Sequence, residues 1–121
     1  MPSLSFAREH RLKSSFRIRK VFREGKKVRG EFISLFWQRA GGEAKIKFTA
    51  VVSSKTEKRA VRRNRMKRLL REAFTKGMGE FHGSAGGDWV LLAHRIPDSF
   101  ELGVVEKDVL GCLSKLLDSW K

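Results

Sequence analysis

A chain of 121 residues, 40% of them hydrophobic and including nine Phe and three Trp, supports one domain with one modest core and is too aromatic to be wholly disordered. Its 27 Lys+Arg against 13 Asp+Glu leave a formal charge of +14, which points to a polyanionic partner; nucleic acid leads over an anionic membrane surface, for which there is no lipidation signal. The single cysteine, Cys112, excludes an intramolecular disulfide framework and a Cys-rich zinc site.

No run of residues has the length and apolarity of a membrane span, and residues 1–11 lack the apolar segment of a secretory signal, so the expected location is the cytoplasm. Residues 1–13 read as a basic arm on a single domain covering 1–121. Ser14 or Ser15 caps a short helix that runs to about Glu24 and stops at Gly25. Ile18, Val21 and Phe22 fall at i, i+3 and i+4 and give that helix an apolar face. Residues 28–38 then alternate as a strand, with Ile33, Leu35 and Trp37 on one side and Phe32, Ser34 and Phe36 on the other. Ala40, Gly41 and Gly42 form a turn, and a second strand over 45–53 follows in hairpin fashion.

A strong helix is expected over 59–76, ended by the Gly-rich stretch 77–87. The continuous apolar run Trp89-Val90-Leu91-Leu92-Ala93 suits a buried central strand. Pro97, Asp98 and Ser99 break the chain. A last helix over 104–119 sets Val109, Leu113, Leu116, Leu117 and Trp120 on one side, with Cys112 a small core residue among them. Helix, strands, helix, strand, helix is an α+β order, a sheet with helices laid on it.

The segment 55–76 carries the strongest chemical signal. It holds ten basic and two acidic residues, a net +8, more than half the charge of the chain. On a helical wheel Met66, Leu69, Leu70, Ala73 and Phe74 share one arc and should dock on the sheet. Asn64, Lys67, Arg68 and Arg71 recur at i, i+3, i+4 and i+7 on another. Like charges at that spacing cost a free helix about 0.2–0.5 kcal/mol per pair, so the arrangement suits a partner that neutralises them. Arg63 and Arg65 lie near the helix start, where free backbone N–H groups also attract phosphate. Arginine bonds two phosphate oxygens at once and stacks on bases, and Asn64 offers a donor and an acceptor for a base edge or a 2′-hydroxyl.

The run Ala60-Val61-Arg62-Arg63-Asn64-Arg65-Met66-Lys67-Arg68-Leu69-Leu70-Arg71-Glu72, with Arg63-Asn64-Arg65 at its centre, resembles the signature of the bacterial ribonuclease P protein subunit family. Arg11-Leu12-Lys13, Lys20-Val21-Phe22 before Gly25, Val52-Ser53-Ser54-Lys55, and Asp88-Trp89-Val90-Leu91-Leu92-Ala93 extend the resemblance over nearly the whole chain. It implies an α-β-β-β-α-β-α fold of the ribosomal protein S5 domain 2-like kind, a mixed sheet with helices and a left-handed βαβ crossover through the basic helix. It also implies a role: binding the catalytic RNA of ribonuclease P and the 5′ leader of precursor tRNA, so that the leader is removed endonucleolytically.

Carried over residue by residue, the resemblance makes Arg63, Asn64, Arg65, Lys67, Arg68 and Arg71 the RNA-contacting candidates, joined by Lys55, Arg59 and Arg62. Phe22 and Phe36 match aromatic positions of a cleft that holds the leader. Ile18 stands where some members have an aromatic residue, and an aliphatic chain cannot stack on a base as a ring does. Thr56 replaces a Lys of some members, which removes one phosphate contact. The parity of 28–38 independently places Phe36 opposite the more apolar face, and exposed aromatics beside cations form a stacking platform. The other reading of Phe22 and Phe36 is that they pack on each other as core.

A protein nuclease needs metal-binding carboxylates or an acid–base pair. The acidic residues are scattered, and His10, His82 and His94 are far apart in sequence with no HxxxH spacing. The resemblance accordingly implies that the RNA and its magnesium ions perform the chemistry, with the protein as a positional and electrostatic subunit. Rival readings are a structural protein of ribosomal RNA, a DNA-binding regulator, and a stand-alone ribonuclease. The regulator lacks a helix-turn-helix partner, a zipper and a zinc pattern.

Overall fold

Ser14 and Gly25 bound the first helix, α1 (Ser15–Glu24), as the capping pattern expects. The Ser14 hydroxyl accepts from the Arg17 amide at 3.3 Å, and the Gly25 amide donates to the Val21 carbonyl at 2.9 Å. The computed structural model describes residues 11–39, 46–80, 86–98 and 101–118. After α1 come β1 (Lys26–Arg29), β2 (Ile33–Gln38), β3 (Ile46–Val52), α2 (Ala60–Glu80), β4 (Gly87–Ala93) and α3 (Leu102–Asp118), the expected α-β-β-β-α-β-α order. The turn at 40–42, the arm before residue 11, and Trp120 lie outside the described residues.

The strands form one mixed sheet in the order β1-β2-β4-β3. β1 pairs antiparallel with β2 and β2 antiparallel with β4, while β3 runs parallel to β4 and α2 supplies the crossover between them. The expected hairpin of 45–53 on the preceding strand is therefore wrong. β4 lies between β2 and β3, because its apolar run Trp89–Ala93 is buried on both sides and takes the central place.

The expected single strand over 28–38 is also divided. The chain turns at Gly30-Glu31-Phe32, and the carboxylate of Asp108 on α3 accepts from the amides of Glu31, Phe32 and Ile33 at 2.8, 2.9 and 3.0 Å. A Cβ at residue 30 would stand 2.5 Å from the Asp108 Oδ1, so glycine there lets the carboxylate approach. Alternation alone carries no sign of a partner so distant in sequence. Phe32 consequently leaves the Ser34–Phe36 face and packs beside the larger core, with the Arg95 guanidinium 4.9 Å from its ring centre.

Helices cover both sheet faces. α2 and α3 bury Met66, Leu70, Ala73, Phe74, Met78, Val105, Val109, Leu113 and Leu116 against Ile33, Leu35, Phe48, Trp89 and Leu91. Phe74 sits between Phe48 and Trp89 in tilted contact, with ring centres 4.7 and 5.5 Å away, and Phe74→Ala would cost about 3–5 kcal/mol. On the opposite face Val21 of α1 closes a smaller cluster with Leu12, Phe36 and Val90.

α2 runs beyond the expected stop at residue 76. Gly77 does not end the helix; it lets α3 pack close, since a Cβ there would meet the Leu113 Cδ1 at 2.7 Å. Cys112 is buried, as expected of a small core residue, and burial, then the nearby Asp108 charge, raises its thiol pKa to about 11.

Candidate nucleic-acid interface

Two basic surfaces lie on opposite faces of the sheet, one on each of the helices α2 and α1. On α2 the helical period separates docking from display. Met66, Leu70, Ala73 and Phe74 are buried and Leu69 partly so, while Asn64, Arg65, Arg68 and Arg71 are exposed and Lys67 is half-buried beside them. The arc inferred from the wheel is therefore the arc that faces solvent.

The entry to α2 is built around Glu57. Its carboxylate accepts from the Arg59 amide at 3.0 Å and from the Arg62 Nε at 2.8 Å, with the Arg59 Nε at 3.4 Å. The Arg59 amide bond, then the Arg62 side chain, holds the Glu57 carboxyl down at about 2, below its ordinary 4.5. Arg63 turns back instead of outward: its Nη1 donates to the carbonyls of Glu57 and Lys58 at 3.0 and 2.8 Å. The Arg63 amide itself donates to the Arg59 carbonyl, so it is not one of the free amides expected near the helix start. The candidates thus divide: Arg62 and Arg63 brace the segment before the helix, and Asn64, Arg68 and Arg71 stand in the open row. Lys55 and Arg59 are exposed at the near end of that row.

Thr56 ties this segment to the sheet. Its amide is within 3.2 Å of the Ser53 Oγ and its hydroxyl donates to the Ala93 carbonyl at 3.4 Å. Thr56 thus anchors the loop ahead of α2.

On the α1 side the proposed cleft residues are adjacent but unequal. Phe22 is 37% exposed and Phe36 is 7% exposed. Their rings meet edge to face, with centres 4.8 Å apart and planes at 78°, and the Lys27 Nζ lies 5.6 Å from the centre of the Phe36 ring. Strand parity put Phe36 on the right face but could not show that α1 lies over it. Phe22 is the ring open to a ligand and Phe36 is its support. Ile18 is partly buried against the small cluster and presents no ring.

Two features of this surface were not legible in the residue pattern. Arg17 grips Asp88 of β4 through two bonds, Nε to Oδ2 at 2.9 Å and Nη2 to Oδ1 at 2.6 Å, fixing the helix to the sheet. The other is Phe16, which is 68% exposed and lines a shallow groove of about 480 Å³ with Arg19, Phe22 and Arg23. Its signal is an aromatic residue at i to the basic residues at i+3, i+4 and i+7, off the apolar face of its own helix.

Among the described residues no group of three or more His, Cys, Asp or Glu could hold a metal ion. Of the three histidines only His94 is described, so the relation between them lies outside the described residues. No helix among these residues is long and apolar enough to cross a membrane.

Comparison with known proteins agrees with this arrangement. The family model described as Ribonuclease P matches residues 6–117. The chain is 35% identical over 92 residues to the "Ribonuclease P protein component" of Xanthomonas campestris pv. campestris (strain B100), an alignment spanning 76% of this chain and 59% of that relative. It is 45% identical over 60 residues to the protein of the same name from Synechococcus sp. (strain RCC307), covering 50% of this chain and 45% of the relative. The chain therefore spans less than two thirds of the length of these relatives. Among solved structures, the Staphylococcus aureus RNase P protein superimposes with a TM-score of 0.73 at 19% identity, over 88% of this chain and 94% of that one. The Thermotoga maritima RNase P protein does so with a TM-score of 0.69 at 25% identity, over 87% and 96%. With a family match across nearly its full length and the same fold in these structures, the chain belongs to the Ribonuclease P protein family.

Proposed function

We propose that this chain is the protein subunit of ribonuclease P, binding the catalytic RNA through α2 and the 5′ leader of precursor tRNA at α1 while the leader is cut away to leave the mature 5′ end. The observation that carries the reading is the open row Asn64, Arg68 and Arg71 on a helix whose other side docks on the sheet through Met66, Leu70, Ala73 and Phe74, in a chain of this family. A fixed row of cations and one amide suits the backbone of a folded RNA. It neutralises phosphates, lowers the repulsion between two RNAs, and releases counterions.

The α1 surface suits the other half of the task. Phe22, supported from below by Phe36, offers a ring to an unpaired base, and Arg19 and Arg23 lie beside it for the flanking phosphates. Contacts to a leader stabilise the precursor and not the mature product, which favours binding of the one and release of the other. In this reading magnesium is bound mainly by the RNA, and no step of the cleavage is assigned to the protein. A cytoplasmic setting goes with the same reading.

The test is cleavage of a precursor tRNA at low magnesium with a bacterial ribonuclease P RNA alone, the protein alone, and both. Strong cleavage only in the mixture is expected, with affinity falling steeply as salt rises, by a log–log slope of about −0.7 per phosphate neutralised on single strands. Cleavage by the protein alone would put a catalytic site on the protein. No stimulation in the mixture would favour a structural role on another RNA.

A further inference from the structure

We infer that the outer crest of α1, headed by Phe16, is a second base-stacking site that carries a longer 5′ leader onward from Phe22 and over the helix; this rests on the leader-binding role proposed above.

Phe16 has no part in the fold that accounts for its position. Val21 and Ile18 supply the face of α1 that docks on the sheet, Arg17 reaches sideways to Asp88, and Phe16 is left 68% exposed. Burying such a ring is worth about 1.5–3 kcal/mol, a gain this chain forgoes unless something covers it. Around the helix at 100° per residue, the order from the sheet outward is Phe22, Arg19, Arg23, Phe16, then Lys20. The rim of the cleft and the crest are thus joined by two guanidinium groups, and these four side chains line one groove.

The spacing says how the groove is used. Phe16 and Phe22 are six residues apart, which is roughly 9 Å along the axis at 1.5 Å per residue, so the rings take two different bases and not the two faces of one. The Arg19 Nε donates to the Ser15 carbonyl at 3.4 Å, which lays the guanidinium back along the helix toward the Phe16 end. Glu24 is the one acidic residue of α1, at its far end. Ring, cation, cation, ring matches the alternation of base and phosphate in an unpaired strand.

The same features argue against protein occupants. A groove for an apolar helix would not place two arginines between its rings, and a second copy of this chain would bring another +14 against the first. Continuity with Phe22 and the charge both favour single-stranded RNA, and within the proposed role that strand is the leader.

The experiment uses the full chain assembled with a bacterial ribonuclease P RNA and measures affinity for precursor tRNAs whose leaders increase in length one nucleotide at a time. Wild type is compared with Phe16→Ala and Phe16→Trp. The affinity of wild type should rise in two steps as the leader lengthens, and Phe16→Ala should remove the second step, a loss of about tenfold confined to the longer leaders. Phe16→Trp should restore it, since a larger ring stacks at least as well. Thermal melts keep the comparison clean, because so exposed a side chain should leave Tm unchanged. An equal loss at every leader length, no loss at all, or failure of Trp to rescue would overturn the inference. Loss of self-association in Phe16→Ala with unaltered leader affinity would also overturn it and give the crest to a second copy. A wild-type protein that neither assembles nor stimulates cleavage would instead defeat the underlying role, and that result is visible before any variant is made.

Discussion

The exposed row of α2 holds Asn64, Arg68 and Arg71 and no aromatic ring, whereas the exposed side of α1 sets Phe16 and Phe22 among Arg19, Lys20 and Arg23. Both are basic, but they respond to different properties of RNA. Cations and an amide act on phosphates and sugar edges whether or not the bases are paired, so they suit a folded RNA. A ring gains only from a base that is free to leave its stack. Net charge suits a polyanion; in the proposed role the distribution of aromatics assigns which surface takes which kind of RNA. The sheet between them keeps the two apart, so two RNAs can be held by one small domain.

The comparison is broken most directly at Arg68. Arg68→Glu should weaken assembly with the catalytic RNA by about tenfold to a hundredfold, since a charge-assisted bond is lost and a repulsion gained. The salt dependence of assembly should flatten by about one phosphate, while the leader-length response of whatever complex forms should persist. Filter binding across a salt series reads both, and an unaltered slope would remove Arg68 from the contact.

Arg17→Ala should cost roughly 2 kcal/mol of stability in urea unfolding, less than a fully buried pair because Arg17 is partly open to water, since it leaves the Asp88 carboxylate buried without its partner. Its binding defect should fall on the leader and not on the catalytic RNA, because α1 would be released while α2 stays docked. Equal defects on both would mean that the two surfaces are not mechanically separate. Phe22→Ala should reduce leader affinity about fivefold, with Phe22→Tyr close to wild type. If Ala and Tyr behave alike, the ring of Phe22 serves the core only.

The smallest effect belongs to Glu57. Its folded-state pKa of about 2 lies below the ordinary 4.5, so the stabilisation it provides is complete above about pH 4.5 and is lost as pH falls toward 2. Glu57→Gln should lower Tm slightly at pH 7, by a few degrees at most, and the two proteins should converge near pH 2. A gap that stays constant across that range would show that the carboxylate charge is not what braces Arg59 and Arg62.

Periodicity made α2 legible because one helix must separate Met66, Leu70, Ala73 and Phe74 from Asn64, Arg68 and Arg71, and that separation is written in consecutive residues. Trp89–Ala93 announced a central strand for the same local reason. What the residues concealed was tertiary. The turn at Gly30 depends on a carboxylate far along the chain, the glycine at 77 answers to the close approach of Leu113 on α3 and not to a helix end, and the pairing of β4 between β2 and β3 overrides proximity in sequence. At the α1 surface, alternation located Phe36 on the correct face but not beneath Phe22. Arg17 and Asp88 carry no mutual signal across the intervening chain, and Phe16, an apolar residue off the apolar face of its helix, has no place in a periodicity that marks cores.

The strand order has a consequence for how the protein is made. β4 follows β1, β2 and β3 in the chain and is the strand that joins β2 to β3, so a growing chain that has not yet produced residues 87–93 cannot close the sheet between them. Until then β2 and β3 each lack their inner neighbour, and the amides of Glu31, Phe32 and Ile33 wait still longer for Asp108. Folding therefore waits on residues 87–108, and a chain cut short before them yields basic fragments that lack the centre of the sheet.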